Sequence, residues 1–276
     1  MKKLTMFVVA LSAIAFYSFS ASAQEVRFFS HRGGRMEFDE NTMQAFEASY
    51  KAGYRGFETD IRMTKDGELF ITHDSNLERT TNGTGILEEK TADEIKALDT
   101  KKGNKMLLFD EFVKWIASKG DMEYVEFELK TKPEKYYPED KLHEYCDRIY
   151  KSVMAVKPAN ALFVITSSDE RGLLYIKSKY PDAQLLWIVS KPVNDETISK
   201  CLSLGIPRIG AMMDGTSRAM VKKAHDKGLI VSLWPSHTLD DIMLGVYLGS
   251  NTLCTDIPIQ TKNFITKKAK WIKAEF

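Results

Sequence analysis

Cysteine is scarce in this sequence, which has three in 276 residues. Cys146, Cys201 and Cys254 are odd in number and far apart, so they provide neither a disulfide framework nor the paired spacing of a zinc site. Each of them is therefore expected to be a small, buried apolar side chain.

An excess of charge of either sign is also missing. The chain has 39 Lys and Arg against 38 Asp and Glu, which gives a formal net charge of +1. This balance argues against nucleic-acid binding through a broad basic surface. No low-complexity linker or block of like charges divides the chain, so its length suits one large barrel or two small domains.

The sequence signatures of nucleotide binding and of serine hydrolases are absent as well. Gly33-Gly34 is not part of a GxGxxG pattern, and no Walker sequence occurs, so nothing supports nucleotide binding. The Gly-x-Ser-x-Gly elbow of the serine hydrolases does not occur either.

The apolar stretch at the N-terminus is too short for a stable membrane span. Lys2 and Lys3 precede a largely apolar run over 6–19, and Ala21-Ser22-Ala23 fits a cleavage site. We therefore predict a signal peptide over 1–23 and a periplasmic or secreted chain that starts near Gln24. No cysteine follows the cleavage site, which argues against a lipoprotein. An uncleaved anchor is the alternative.

Short apolar runs alternate with amphipathic stretches over the remaining residues, 24–276. Strands are predicted at 26–30, 56–62, 123–129, 162–166, 184–189, 208–212, 230–234 and 252–255. Helices are predicted between them at 41–52, 139–156, 169–180, 195–204, 217–227 and 239–248. Eight strands with intervening helices predict an α/β fold, the (β/α)8 TIM barrel.

One segment interrupts this alternation between His73 and the third barrel strand. It contains a turn cluster over 80–85, a short helix near 92–98 and a second helix over 110–119. We expect the second helix to be an ordinary barrel helix. The residues at about 75–105 are then a small insertion after the second strand region, lying over one mouth of the barrel, with an irregular loop as the alternative.

Charged side chains occur at the ends of the first three predicted barrel strands. Residues i and i+2 of a strand face the same side, and the C-terminal ends of parallel barrel strands form one rim. These side chains are therefore expected to converge. They are His31, Arg32, Glu58, Asp60, Glu128 and Lys130.

Three carboxylates at one point favour a cation that prefers oxygen ligands. Glu58, Asp60 and Glu128 would bind one divalent cation, Mg²⁺ or Ca²⁺ rather than zinc. Solvated acids on a surface strand are the alternative for Glu58 and Asp60. Arg32 and Lys130 beside them suit an anion such as a phosphate.

His31 and His73 are the candidate proton carriers, because an imidazole titrates near neutral pH. Phosphodiester cleavage requires one group to deprotonate the attacking oxygen and another to protonate the leaving alkoxide, and a histidine pair meets both needs. His143, His225 and His237 are expected to be structural or peripheral.

Several motifs in the sequence match those of one family, in the expected order and across most of residues 24–276. They are Ser30-His31-Arg32-Gly33, Glu40-Asn41-Thr42, Phe57-Glu58-Thr59-Asp60-Ile61, Thr64-Lys65-Asp66-Gly67, Thr72-His73-Asp74, Leu77-Glu78-Arg79-Thr80-Thr81-Asn82-Gly83, Glu126-Phe127-Glu128-Leu129-Lys130 and Cys254-Thr255-Asp256-Ile257-Pro258. The sequence resembles the glycerophosphodiester phosphodiesterases. The combination of motifs is more specific than any one of them.

The resemblance implies a TIM-barrel enzyme that hydrolyses small glycerophosphodiesters to glycerol phosphate and an alcohol. It implies that Asn41 orients the site, that Asp256 supports the last strand end and that Trp234 either lines the alcohol pocket or packs structurally. The resemblance also assigns the roles of the charged residues. Glu58, Asp60 and Glu128 would be the metal ligands, His31 and His73 the acid–base pair, and Arg32 and Lys130 the phosphate-binding residues.

The chain departs from the family pattern in two loops. Asp39 replaces the usual proline before Glu-Asn, and Pro235-Ser236-His237 stands where many relatives have Thr-Val-Asn. Both differences bear on which alcohol is recognised. One alternative is a lysophospholipid or phosphoinositol diesterase, which an apolar groove beneath the insertion would favour. The other is a non-catalytic barrel that only binds phosphodiesters.

Overall fold

Eight parallel strands close into a barrel with helices outside it. The structure is a computed structural model, and it describes residues 25–276; the predicted signal peptide lies outside the described residues. In chain order the elements are β1 (Glu25–His31), α1 (Met43–Lys51), β2 (Gly56–Met63), β3 (Leu69–Ile71), α2 (Ala92–Lys96), β4 (Leu107–Leu108), α3 (Phe109–Lys119), β5 (Tyr124–Leu129), α4 (Glu139–Val156), β6 (Leu162–Ser167), α5 (Glu170–Lys179), β7 (Gln184–Pro192), α6 (Asp195–Leu204), β8 (Arg208–Met212), α7 (Arg218–Asp226), β9 (Ile230–Trp234), α8 (Leu239–Leu248), β10 (Thr252–Thr255), α9 (Pro258–Lys268) and β11 (Lys273–Glu275).

Strand pairing confirms the predicted (β/α)8 barrel. The strands follow one another around it in the order β1, β2, β5, β6, β7, β8, β9 and β10, and β10 pairs with β1 to close the circle. The antiparallel strands β3 and β4 extend the sheet beyond β2, and β11 adds to β1. Because the barrel strands are parallel, all eight C-terminal ends lie at one mouth.

The bounds of several elements coincide with those predicted, including β8, β9, β10, α4, α6 and α8. The helix α1 begins later than predicted, at Met43, because Thr42 caps it and its hydroxyl accepts a hydrogen bond from the Ala45 N–H at 3.2 Å. The strands β3, β4 and β11 were not predicted, since two or three residues are too few to show an alternating pattern. The helix α9 was also missed.

The apolar core has three parts. The largest lies between the barrel and its helices and includes Phe57, Ile61 and Phe127. A smaller one lies around Phe29 and Tyr124. The third lies under the insertion. Among residues 25–276, no helix is long and apolar enough to cross a membrane.

The insertion leaves the barrel after β3 and returns at β4, with a core of its own that includes Leu77, Leu87 and Ile95. A buried ion pair joins it to the barrel, because Nη1 of Arg62 on β2 lies 2.6 Å from Oε1 of Glu88. Nε of Arg62 also donates to the His73 carbonyl at 2.8 Å. One guanidinium thus supports both the insertion and the backbone of a candidate catalytic loop.

Substitution of Arg62 by methionine is expected to lower the free energy of unfolding by about 3–5 kcal/mol, because Glu88 would remain buried without its cationic partner. Urea denaturation measures this change. The matched control is Lys222→Met, which removes an exposed ion pair with Asp226 on α7 and should cost about 0.5 kcal/mol. Equal midpoints for the two variants would contradict the role given to the buried pair.

Candidate active site

The loop after β1 is bent sharply and held by hydrogen bonds. Arg32 and Asn41 both adopt positive φ angles, 53° and 58°, which non-glycine residues rarely do. The Asn41 N–H donates to the Arg32 carbonyl at 2.8 Å, and the Asn41 side-chain amide donates to Oδ2 of Asp60 at 2.9 Å. Asn41 therefore orients a carboxylate of the neighbouring strand.

The predicted acids meet on the inner face of β2 and β5. Asp60 lies opposite Glu128 in the strand register, while Phe57 and Ile61 point outward into the main core. Oxygen atoms of Glu58, Asp60 and Glu128 all lie within 4.8 Å of one another. Glu58 is 4% exposed and Asp60 is fully buried, so the alternative of solvated surface acids is wrong.

Two cations lie against these acids. Nε of Arg32 is 3.1 Å from Oδ2 of Asp60, and Nζ of Lys130 is 2.8 Å from Oε1 of Glu128 and 3.3 Å from Oδ1 of Asp60. If all are ionised, these side chains hold one negative charge in excess. A divalent cation would turn that into one positive charge, which matches the single negative charge of a phosphodiester.

The environment drives the pKa values of the two β2 acids apart. Burial raises the pKa of Glu58 well above its usual range, and the Asp60 charge raises it further. Burial also acts on Asp60, but Arg32 and Lys130 outweigh it and hold the pKa of Asp60 well below its usual range. The positive charges of Arg32 and Lys130 therefore compensate only part of the negative charge of the acid cluster.

The acid cluster fits a divalent metal ion. Oε1 of Glu58 is buried and accepts no hydrogen bond from any residue within 25–276. A buried carboxylate oxygen without a donor is costly, and a cation would satisfy it. The donors are all carboxylate oxygens, as Mg²⁺ and Ca²⁺ prefer.

His31 ends β1 beside this cluster. Its Nδ1 is hydrogen-bonded to a carboxylate oxygen of Asp256, and its Nε2 lies 3.6 Å from Oε2 of Glu58. Burial lowers the pKa of His31, with a further contribution from Arg32, against the opposing effect of Asp256. A neutral imidazole that donates Nδ1–H to Asp256 keeps an unprotonated Nε2 facing the acids.

His73 follows β3 and is supported by a chain of ion pairs. Its Nδ1 lies 2.6 Å from Oδ1 of Asp74, and Asp74 is paired with Arg79 of the insertion. Arg79 also binds both carboxylate oxygens of Glu40, at 2.7 and 2.8 Å, and Glu40 binds Arg32 at 3.1 Å. The insertion therefore connects the loops that carry Arg32 and His73.

Asp39, at the position where the resemblance predicts a proline, has a defined structural role. Its Oδ2 accepts hydrogen bonds from the Thr100 hydroxyl and, at 2.9 Å, from the Asn104 side-chain amide. The departure from the family pattern thus adds a second attachment between the first loop and the insertion.

His237 lies at the site and not outside it, which corrects the expectation of a structural or peripheral role. Its Nδ1 is hydrogen-bonded to Oδ2 of Asp256, the same oxygen to which Nε of Arg35 donates at 2.8 Å. Asp256 therefore contacts His31, His237 and Arg35 and does more than support a strand end. The sequence could have indicated this position, because residues 235–237 follow the C-terminal end of β9 and therefore lie at the same mouth of the barrel.

These residues surround one cavity of about 420 Å³ at the C-terminal mouth. One part of the cavity is lined by charged side chains and histidines. They are His31, Arg32, Arg35, Glu58, His73, Glu128, Lys130 and His237. Trp234 also lines it, as does Cys254, which is half-buried and differs in this from the buried Cys146 and Cys201. Of the sequence-predicted site residues, only Asp60 and Asn41 do not line this cavity; Asp60 contacts Arg32 and Lys130, which do, and Asn41 contacts Asp60.

Comparison with known proteins identifies the family. The model of the glycerophosphoryl diester phosphodiesterase family matches residues 31–260. The chain belongs to this family. The match begins at His31 and extends past Asp256, so it covers the whole rim described above.

Curated relatives match over part of their length. The uncharacterized protein YqiK of Bacillus subtilis is 34% identical over 117 residues, which are 40% of this chain and 47% of that protein. A glycerophosphodiester phosphodiesterase of Caldanaerobacter subterraneus is 44% identical over 70 residues, 25% of this chain and 29% of that protein. The matched segments thus span less than half of either relative.

The fold is similar to that of solved structures. A phosphodiesterase of Oleispira antarctica, solved in complex with the product sn-glycerol-3-phosphate, superposes with a TM-score of 0.77 at 18% identity and covers 87% of this chain and 97% of that one. At this identity the likeness concerns the fold alone.

Proposed function

We propose that this protein is a metal-dependent phosphodiesterase that hydrolyses glycerophosphodiesters to glycerol phosphate and an alcohol. The observation that carries the proposal is a cluster of three acids beside two cations and two histidines, of which all but Asp60 line one cavity. Membership of the family and the product bound to the Oleispira relative support the same substrate class.

Arg32 and Lys130 would bind the phosphate. Arg32 is buried and Lys130 is half-buried beside the acids, where burial lowers the pKa of Lys130 but Glu128 and Asp60 outweigh it and raise that pKa. Lys130 therefore stays charged and can stabilise the negative charge that gathers on phosphate oxygens in the transition state. Glu58, Asp60 and Glu128 would hold a divalent cation, and this cation would polarise a phosphate oxygen and activate the attacking oxygen.

His31 would act as the base and His73 as the acid. Nε2 of His31 is free to take the proton of the attacking oxygen, because Nδ1 is committed to Asp256. The P–O bond to the alcohol then breaks, and His73 would give its proton to the leaving oxygen. The attacking oxygen belongs to water or to a glycerol hydroxyl, and incorporation of labelled water into the product phosphate in a single turnover distinguishes the two routes.

A bulkier diester, such as a lysophospholipid, is a second candidate, because Leu186, Ile188 and Met212 give the cavity an apolar portion. These residues lie on β7 and β8. Among residues 25–276, none of the segment 75–105 lines the cavity, so this cavity does not provide the apolar groove beneath the insertion that would favour such a substrate. The non-catalytic alternative is opposed by the presence of both histidines with their carboxylate partners.

We further propose that the protein acts outside the cytoplasm. The support is the signal-peptide pattern over 1–23, with its basic start and its Ala21-Ser22-Ala23 cleavage site. The N-terminal sequence of the protein recovered from the periplasm or medium tests this, and it should begin near Gln24.

Turnover of glycerophosphocholine and glycerophosphoethanolamine by the purified protein tests the activity itself. With Mg²⁺ or Ca²⁺ present, we expect glycerol phosphate and the free alcohol in equal amounts, detected by ³¹P NMR and by assay of the alcohol. Release of a phosphorylated alcohol and free glycerol would refute the proposed reaction. Binding of either diester without any product would favour the non-catalytic barrel.

A further inference from the structure

Cys254 brings a sulfur atom to the cavity at the C-terminal mouth. It lies on β10, which pairs with β1 on the side opposite β2. In the strand register Cys254 is opposite Phe29, and Glu58 is opposite His31. His31, Glu58 and Cys254 therefore come from three adjacent strands, and all three line the cavity.

These three side chains offer a nitrogen, an oxygen and a sulfur donor at one point. One donor atom of each lies within 4.8 Å of the other two. Zinc bonds of about 2.0–2.3 Å would draw these atoms somewhat closer together. Mixed nitrogen, sulfur and carboxylate donors are typical of zinc, whereas Mg²⁺ and Ca²⁺ prefer oxygen. The set therefore differs in its preferred metal from the acid cluster beside it.

His31 has the orientation that is usual for a metal-binding histidine. Its Nδ1 is hydrogen-bonded to a carboxylate oxygen of Asp256, which leaves Nε2 as the donor atom, 3.6 Å from Oε2 of Glu58. Histidines that bind a metal ion nearly always donate their other ring N–H to such an acceptor. In addition, Oε1 of Glu58 is buried and accepts no hydrogen bond from any residue within 25–276. A metal ion is enclosed by its donor atoms, so a buried oxygen suits it.

We propose that His31, Glu58 and Cys254 form a second metal site, which binds Zn²⁺ or another thiophilic divalent ion in competition with the Mg²⁺ or Ca²⁺ of the acid cluster. The two sites share Glu58, so we expect one ion at a time. Burial raises the pKa of the Cys254 thiol, which is therefore neutral before the ion arrives. The thiol loses its proton to water as the sulfur–metal bond forms, and no electron is transferred.

Zinc at this site would inhibit hydrolysis, a consequence that rests on the proposed function. The ion would occupy Nε2 of His31, the proposed base. It would also remove the net charge that suits the substrate. The ionised acids and cations of the cluster hold one negative charge in excess, so a thiolate and a divalent ion bring the total to zero, whereas Mg²⁺ alone leaves one positive charge.

Cadmium tests the site directly, because a cadmium–thiolate bond produces a charge-transfer absorption in the ultraviolet. We expect a single equivalent of Cd²⁺ to produce this absorption in the wild-type protein, and Zn²⁺ to abolish it by displacement. Cys254→Ser should eliminate the absorption. It should weaken zinc binding by about 100-fold or more, since loss of a residue that only orients a ligand already costs about 10–100-fold. His31→Ala keeps the thiol and should still weaken the binding of Cd²⁺.

The matched control is Cys201→Ser on α6. Cys201 is buried, and its thiol donates to the Ile206 carbonyl at 3.3 Å, as a serine hydroxyl can also do. This variant should keep the absorption. Thermal unfolding checks that the serine variants fold, and Cys254→Ala serves if Cys254→Ser does not. An absent absorption in the wild-type protein, or one that persists without the Cys254 thiol, would overturn the proposal.

Inhibition assays separate this inference from the proposed function. Zn²⁺ should slow the hydrolysis of glycerophosphocholine by the wild-type protein, and added Mg²⁺ or Ca²⁺ should relieve the inhibition. Cys254→Ser, compared with its own rate without zinc, should require about 100-fold more Zn²⁺ for the same inhibition. Equal sensitivity of the two proteins to zinc would refute the second site. A protein that shows the cadmium absorption and hydrolyses no diester would refute the activity alone.

Discussion

Replacement of His31 or His73 by alanine is expected to slow hydrolysis of a glycerophosphodiester by a factor of roughly 10²–10⁴, the usual contribution of a positioned acid or base. His31 faces the acid cluster through Nε2 and is held by Asp256, and His73 is held by Asp74. The measurement is kcat at saturating metal and substrate. Wild-type rates in either variant would contradict the paired-imidazole mechanism.

The matched control is His143→Ala, because His143 is half-buried on α4 and stacks on Tyr175 with ring centroids 3.8 Å apart. It removes the same side chain far from the cavity and should leave kcat unchanged.

The roles of His31 and His73 can be told apart with a diester whose leaving group is nitrophenol, which needs no protonation. We expect this substrate to restore much of the rate of the His73 variant and none of that of the His31 variant. The reverse pattern would exchange the two roles.

Removal of divalent metal by a chelator is expected to lower the rate by roughly 10³-fold or more, since a bound cation contributes several kcal/mol of transition-state stabilisation. The residues concerned are Glu58, Asp60 and Glu128, whose oxygens lie within 4.8 Å of one another. Addition of Mg²⁺ or Ca²⁺ should restore the rate, and the ion that does so at lower concentration is the preferred one.

Glu128→Gln should reproduce the effect of the chelator by raising the metal concentration required for half-maximal activity. The control is Glu144→Gln, an exposed position on α4 that keeps the same chemical change away from the cavity. Undiminished turnover after exhaustive removal of metal would refute the proposed role of the acid cluster.

The sequence predicted those parts of the protein that follow a strict local rule. The alternation of Phe57, Glu58, Asp60 and Ile61 identified a strand with one apolar and one acidic face, and the rim of a parallel barrel then placed the acids beside Glu128. The fold and the acid cluster could therefore be derived before any coordinates.

The parts that escaped prediction depend on loop conformation. His237 and Arg35 reach the same carboxylate of Asp256 from loops far apart in sequence, and no periodic pattern encodes that meeting. Likewise, Arg79 binds Glu40 and Asp74 only because the insertion folds back over the first loop. Such contacts arise from tertiary packing, which strand and helix patterns do not specify.

The two faces of β2 have different roles, one in the packing of the core and the other in the proposed chemistry. Phe57 and Ile61 point into the main core while Glu58 and Asp60 point into the barrel, where Glu58 lines the cavity, so a shift of the strand by one residue would exchange the two sets. A substitution at an outward position therefore acts on the packing of the main core, whereas one at an inward position changes the charge of the acid cluster.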